Sequence, residues 1–139
     1  MPVALRRTPD GRRIDVSRTV AAPAERAWSL FRDAERWPEW GPSVAAVDCP
    51  VRFVERGTEG RVRIAGVGLW VPFRVTPCGD YRWTWRVAGV PATGHRVDPR
   101  GGDRSAVAIE LSPLAAAYVP VCRRALSRFA ALAEADDGE

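Results

Sequence analysis

Residues 113–135 read PLAAAYVPVCRRALSRFAALAEA, and they form the one long helical pattern in the chain. Leu114, Tyr118, Val121, Cys122, Ala125, Phe129 and Leu132 recur at spacings of three and four, while Arg123, Arg124, Ser127, Arg128 and Glu134 fall on the other side. Ser112 followed by Pro113 is a start signal, because serine caps free amides and proline is pre-set for the first helical position. At ~1.5 Å per residue such a helix would run roughly 34 Å, enough to cross a small domain. Pro120 removes a backbone hydrogen bond and crowds the preceding turn, which predicts a kink about two turns in. Residues 136–139 carry no apolar side chain and are expected to fray.

A helix with one apolar face needs a surface to cover. From residue 44 to 111 the period is two, and short β-rich runs are separated by turn clusters at 57–60, 66–68, 78–80, 89–91 and 101–103. Val62 and Ile64 alternate with Arg61 and Arg63, and Tyr81, Trp83, Trp85 and Val87 alternate with Arg82, Thr84 and Arg86. One face is aromatic and the other carries arginine. Val107, Ile109 and Leu111 continue the apolar face, with Glu110 alternating toward solvent. Before this meander, Ile14, Val16 and Val20 alternate with polar residues as a first strand. Pro23 then opens a short helix with Ala24, Ala27, Trp28 and Phe31 on one face, and a second short piece ends near Pro38. The order predicts an α+β fold in which an antiparallel sheet of about seven strands lies against the terminal helix, with two short helices after the first strand.

The chain has 139 residues, 46% hydrophobic and 27% charged, which suits a single domain over 12–135 with a flexible N-terminal segment over 1–11. All 21 basic residues are arginine, and the net charge is +4. They are scattered rather than clustered, so no nucleic-acid partner is expected. Cys49, Cys78 and Cys122 lie far apart without a metal or redox spacing and read as small buried residues. No paired carboxylate, serine nucleophile motif, phosphate-binding glycine loop or metal constellation is present, and no cofactor is expected. The first residues lack the apolar core of a signal peptide, and no stretch approaches the ~18 apolar residues of a membrane span. A cytoplasmic location without stable membrane insertion follows as the expectation.

Val20, Ala21, Ala22 and Pro23, followed by Glu25, Trp28, Phe31 and Asp33, then Trp37, Pro38, Glu39 and Trp40, resemble the START-like (SRPBCC) superfamily. The polyketide cyclase/dehydrase branch is the most similar, and Ala125, Leu126, Phe129, Leu132 and Glu134 resemble its last helix. The resemblance implies a helix-grip fold with a cavity between sheet and helix, open near the short helices. Such a cavity would receive a hydrophobic or aromatic small molecule, such as a lipid, polyketide or quinone-like compound, for carriage or sensing. The alternative it implies is a polyketide cyclase or aromatase acting in the same cavity. The superfamily includes lipid-transfer proteins, receptors and enzymes, so the fold alone does not set the activity.

Trp40, Trp70, Phe73, Trp83 and Trp85 are the aromatic candidates for the cavity wall, since a thin core would struggle to pack so many rings without leaving space. His95, the one histidine, shares a strand face with Thr93 and Val97 and is a candidate acid, base or carbonyl-orienting group. Tyr118 offers a hydroxyl from the final helix. Arg74 has two readings. Alternation turns Val71, Phe73 and Val75 inward and Arg74 out, whereas Trp70, Val71, Arg74 and Val75 resemble an aromatase/cyclase strand whose arginine would polarise a ligand carbonyl in the cavity. Pro72 could seat the bulge that the second reading needs. Val44, Pro72 and Ala125 depart from the residues that such cyclases carry in those places. Residues 114–122 are expected to roof the cavity and 125–132 to pack as plain core.

Overall fold

The structure, a computed structural model, describes residues 2–135; the expected fraying of 136–139 lies outside the described residues. Eight strands form one open antiparallel sheet: β1 (Val3–Thr8), β2 (Gly11–Val20), β3 (Val44–Asp48), β4 (Glu59–Ile64), β5 (Trp70–Gly79), β6 (Arg82–Val87), β7 (Val90–Pro99) and β8 (Ser105–Leu111). Their spatial order is β1-β2-β8-β7-β6-β5-β4-β3. Between β2 and β3 lie α1 (Ala24–Arg32), a 3-10 turn (Ala34–Arg36) and α2 (Trp37–Trp40), and the chain closes with α3 (Val119–Ala135). This is the helix-grip arrangement, with α3 against β2, β8 and α2. No helix among the described residues is long and apolar enough to cross a membrane.

Two expectations about the ends of the domain are corrected. Val3–Thr8 is not a flexible tail but an edge strand paired with β2, from Val3 opposite Val16 to Thr8 opposite Gly11. Its side chains are nearly all exposed, Leu5 included, so it is held by backbone pairing and leaves no burial pattern to read. The terminal helix, too, is shorter than its pattern. Pro113–Tyr118 forms a 3-10 segment whose geometry breaks at Ala115, with Ser112 capping it by accepting from the Leu114 amide at 3.3 Å. Pro120 does not kink α3; it sits in the first turn, where its missing N–H costs nothing. With 17 residues, α3 is roughly 26 Å long.

Register puts the aromatic residues on one face. The row Val16, Ile109, His95, Trp83, Cys78 runs across β2, β8, β7, β6 and β5, and a second row joins Trp85, Val75 and their neighbours. Leu126, Phe129, Ala130 and Ala133 of α3 seal this face, and Phe129 stacks on Phe31 with ring centroids 4.1 Å apart. Arg18 also points toward the helix and donates to Ser127 Oγ at 3.4 Å.

The opposite face is not simply solvated arginine. Glu110, expected in solvent, is 2% exposed. Its carboxylate accepts from Arg82 Nη2 at 2.8 Å and Arg96 Nη1 at 2.9 Å, and Arg96 also donates to Asp15 at 2.7 Å. Burial alone would raise the Glu110 pKa, but Arg82 and Arg96 outweigh it and hold the group below its ordinary value. Gly94 opposite Glu110 leaves the room, since a Cβ there would stand 2.8 Å from Glu110 Oε1. The long arginine side chains lie over the strand and bury what alternation alone would expose.

Candidate functional site

Between the aromatic face and the start of α3 lies a cavity of about 70 Å³. Trp37 and Trp40 of α2 wall it together with residues 41–44, Trp83 and Trp85 of β6, Thr93 and His95 of β7, and Ile109 of β8. Tyr118, Val121, Cys122 and Ala125 close it from above. Among the described residues no charged side chain lines it. A wider hollow of about 260 Å³ adjoins it, sharing Ser43, Val44, Trp85, Thr93 and Tyr118 as common wall and continuing over Val62, Ile64, Val87 and Ala115. The Ser43 and Tyr118 hydroxyls hydrogen-bond each other at this shared wall.

The polar groups form a directional chain. Trp85 Nε1 donates to Thr93 Oγ1 at 3.1 Å, Thr93 Oγ1 lies 3.1 Å from His95 Nε2, and His95 Nδ1 lies 3.4 Å from the carbonyl of Trp83. A carbonyl only accepts, so the proton of the neutral ring belongs on Nδ1, and Nε2 accepts from the Thr93 hydroxyl. Burial drives the His95 pKa down to about 3, with the Trp83 carbonyl and Glu110 opposing only partly. The ring is therefore neutral at pH 7 and stacks on Trp83 at 4.0 Å. Burial likewise raises Tyr118 above its usual value and pushes the Cys122 thiol up to about 12, which leaves it no nucleophile.

Indole donors divide in two. Trp37 Nε1 donates to the carbonyl of Phe31 at 2.9 Å, and Trp85 is bonded as above. Trp40 Nε1 and Trp83 Nε1 are buried with no acceptor from the protein.

Of the candidates read from sequence, Trp40, Trp83, Trp85, His95 and Tyr118 come together around this cavity. Phe73 is buried one layer behind, 5.4 Å from Trp37 and 5.6 Å from Trp85 by ring centroids. Trp70 is corrected: it is 43% exposed on the outer face, with the Arg61 and Arg63 guanidiniums near its ring. Of the two readings of Arg74 the alternation one holds, for it points outward and pairs with Glu59 at 3.2 Å, which removes it as a cavity candidate. The irregularity in β5 falls between Val75 and Cys78, beyond Arg74, so Pro72 seats no bulge that would turn the arginine inward. Val121 and Cys122 belong to the expected roof, Ala125 lines the cavity where plain core was expected, and Trp37, Ser43 and Thr93 were not foreseen as wall residues. Thr93 stands two residues before His95 on the same strand, a spacing that could have marked it.

The polyketide cyclase/dehydrase and lipid transport family matches residues 12–134. The chain belongs to this family. No curated protein matches it in sequence. Among solved structures, this polyketide cyclase/dehydrase family chain is similar to the Zhui aromatase/cyclase of Streptomyces sp. R1128, with 15% identity and TM-score 0.69 over 88% of this chain and 93% of that one. A START superfamily protein of Mycobacterium smegmatis has 17% identity and TM-score 0.65 over 86% and 97%. Norcoclaurine synthase of Thalictrum flavum, solved with dopamine and hydroxybenzaldehyde, has 12% identity and TM-score 0.58 over 99% and 91%. These likenesses concern the fold.

Proposed function

We propose that this family member binds an uncharged hydrophobic or aromatic small molecule in the space between sheet and α3, for carriage or sensing. The observation that carries the reading is a wall of aromatic and aliphatic side chains without a charged group, in which the single histidine is held neutral. Such a lining favours apolar surface and penalises an ion, which would lose its hydration without gaining a partner. The inner cavity and the adjoining hollow together reach the lower end of the about 300–1,000 Å³ range of ligand pockets. Norcoclaurine synthase, which holds small aromatic molecules on the same fold, is consistent with ligands of this kind.

Turnover of the cyclase or aromatase kind has less support. Arg74, its proposed carbonyl-polarising group, is on the far face of the sheet, and no carboxylate faces the cavity. A base with a pKa of about 3 is far from the operating pH that general acid–base catalysis favours.

The test is mass spectrometry of the small molecules that co-purify, followed by thermal shift with the molecule found and with a library of neutral aromatic compounds. A bound neutral compound that raises the melting temperature supports the reading. If no such compound changes either the melting temperature or the tryptophan emission, the reading falls.

A further inference from the structure

Large apolar side chains left in water mark a contact surface when they gather in one place. Four of them do so here. Val67 and Leu69 sit in the turn joining β4 to β5, Val90 opens β7, and Leu114 lies in the 3-10 segment before α3. They are 67%, 62%, 62% and 99% exposed. The same three connections rim the outer hollow, because Ile64 before the first turn, Pro91 after Val90 and Ala115 after Leu114 all line it. The four side chains thus ring one opening, at the end of the sheet where β4, β6 and β8 finish.

The first of these turns spends its polar groups internally. Gly68 N–H donates to the Ile64 carbonyl and Ile64 N–H donates to the Leu69 carbonyl, both at 2.8 Å. Such pairing lowers the cost of carrying a turn into an apolar medium. The tips project from three separate connections around a hollow, so a rigid partner would have to match each of them. Acyl chains close round them without a fixed shape.

Charge points the same way. Residues 60–79, 81–97 and 111–133 contain no aspartate or glutamate. Arg61 and Arg74 are matched by Asp48 and Glu59 from outside these stretches. Arg63, Arg86, Arg123 and Arg124 are exposed, and among the described residues none of the four has a carboxylate partner. Arg86 reaches the tip of its own hairpin, donating to the Gly89 carbonyl at 3.0 Å. At ~1.5 Å per residue Arg124 stands about 8 Å into α3, within the range over which exposed charges act at ordinary salt. Trp70, at the foot of the first turn, has the Arg61 and Arg63 guanidiniums 5.5 and 6.0 Å from its ring, a pairing suited to the headgroup level of a bilayer.

We propose that this rim docks on an anionic lipid surface, with Val67, Leu69, Val90 and Leu114 entering the acyl boundary while the four unmatched arginines meet lipid phosphates. The docking is peripheral, since no helix among the described residues is long and apolar enough to cross a membrane. It turns the mouth of the hollow toward the lipid and stands whether or not the hollow takes a ligand.

The test is flotation of the full chain with vesicles of phosphatidylcholine alone, or of phosphatidylcholine and phosphatidylglycerol in equal parts. The mixed vesicles are expected to bind at least about tenfold more tightly, and added salt to weaken them. Leu69→Ser and Leu114→Ser should each weaken that binding about tenfold, and the double variant Arg63→Gln, Arg86→Gln by more than about tenfold. The double variant Arg100→Gln, Arg104→Gln removes the same charge from the turn at the opposite end of β7 and β8, and should change binding little. No binding to the mixed vesicles overturns the proposal and leaves the rim to an acidic protein partner. An equal loss from both arginine pairs overturns it too, because net charge alone would then account for the attraction. Full binding by both serine variants does the same. All these side chains are exposed, so the variants should melt with the unaltered protein. Should either serine variant melt early, Val67→Ser or Val90→Ser tests the same contact.

Discussion

Ser43 and Tyr118 are joined by a hydrogen bond between their hydroxyls, and both side chains border the inner cavity and the outer hollow. The first comes from the turn after α2 and the second from the 3-10 segment before α3, so the bond ties two elements across the passage. On the proposed binding reading, a ligand moving between hollow and cavity would run along this shared wall. Tyr118→Phe removes the bond but keeps the ring, and Tyr118 is partly exposed, so the stability cost should be about 0.5–1.5 kcal/mol. Ligand entry and release should both become faster, by several-fold, with a smaller change in affinity. Stopped-flow tryptophan fluorescence with a neutral aromatic ligand reads both rates, and unchanged rates would show that the bond does not guard the passage.

The 3-10 segment and α3 divide unequally. Leu114, read from its spacing as part of the buried face, is 99% exposed, whereas Phe129 is fully buried against Phe31 and 5.4 Å from Trp40. Phe129→Ala should cost about 3–5 kcal/mol in urea denaturation, and Leu114→Ala almost nothing. A comparable loss from the two would mean that the early turns share the core after all.

Burial explains what sequence could and could not reveal. The alternation of Trp83 and Trp85 with Arg82, Thr84 and Arg86 was a sound guide, because register on a sheet with one packed face is strongly specified. The same rule placed Arg74 outward, and only the likeness to a cyclase strand argued otherwise. It failed at Glu110, because its burial comes from Arg82 and Arg96 reaching over from neighbouring strands. Side-chain reach across strands leaves no period in the sequence. The edge strand β1 escaped for the converse reason, having pairing without burial. Tyr118 and His95 were legible as polar tips on buried faces, but the Trp85, Thr93, His95 relay needed the coordinates of two strands.

His95 makes stability depend on pH in a defined direction. Its pKa is about 3 in the folded protein and near 6.5 unfolded, so between these values the unfolded chain binds more protons and stability falls as pH falls. The slope should approach about 1.4 kcal/mol per pH unit below pH 6. As the sole histidine it can be isolated cleanly. Urea midpoints from pH 7.5 to 5 should decline in the unaltered protein and stay nearly level in His95→Phe. A flat profile in both would mean that the ring takes up its proton without unfolding the chain.

Glu110 acts in the same sense but lower on the scale. Its folded pKa lies below the ordinary carboxylate value of 4.5, so its contribution is complete above that value and is lost as the pH falls through the folded pKa. Glu110→Ala strands the buried Arg96 and the half-buried Arg82, although Asp10, Asp15 and Asp98 keep partial hold of them. Removing one partner from a buried network of this kind costs about 3–5 kcal/mol. Chemical denaturation at pH 7 checks the size of the loss, and a value below about 1 kcal/mol would mean that the three aspartates suffice. Ligand affinity should be unaffected in the folded fraction, since Glu110 lies on the face opposite the cavity.

Arg74 offers the sharpest separation between carriage and cyclase-type chemistry. Its guanidinium and the Glu59 carboxylate are 62% and 66% exposed, and an ion pair so placed contributes little. Arg74→Ala should therefore leave stability within about 0.5 kcal/mol and the affinity for a neutral aromatic ligand unchanged. His95→Phe, by contrast, removes the Thr93 partner and alters the cavity wall, so its affinity should change. Titrating one ligand into both variants makes the comparison. If Arg74→Ala weakened binding and His95→Phe did not, the ligand would have to lie on the arginine-bearing face, and the cavity would lose its claim.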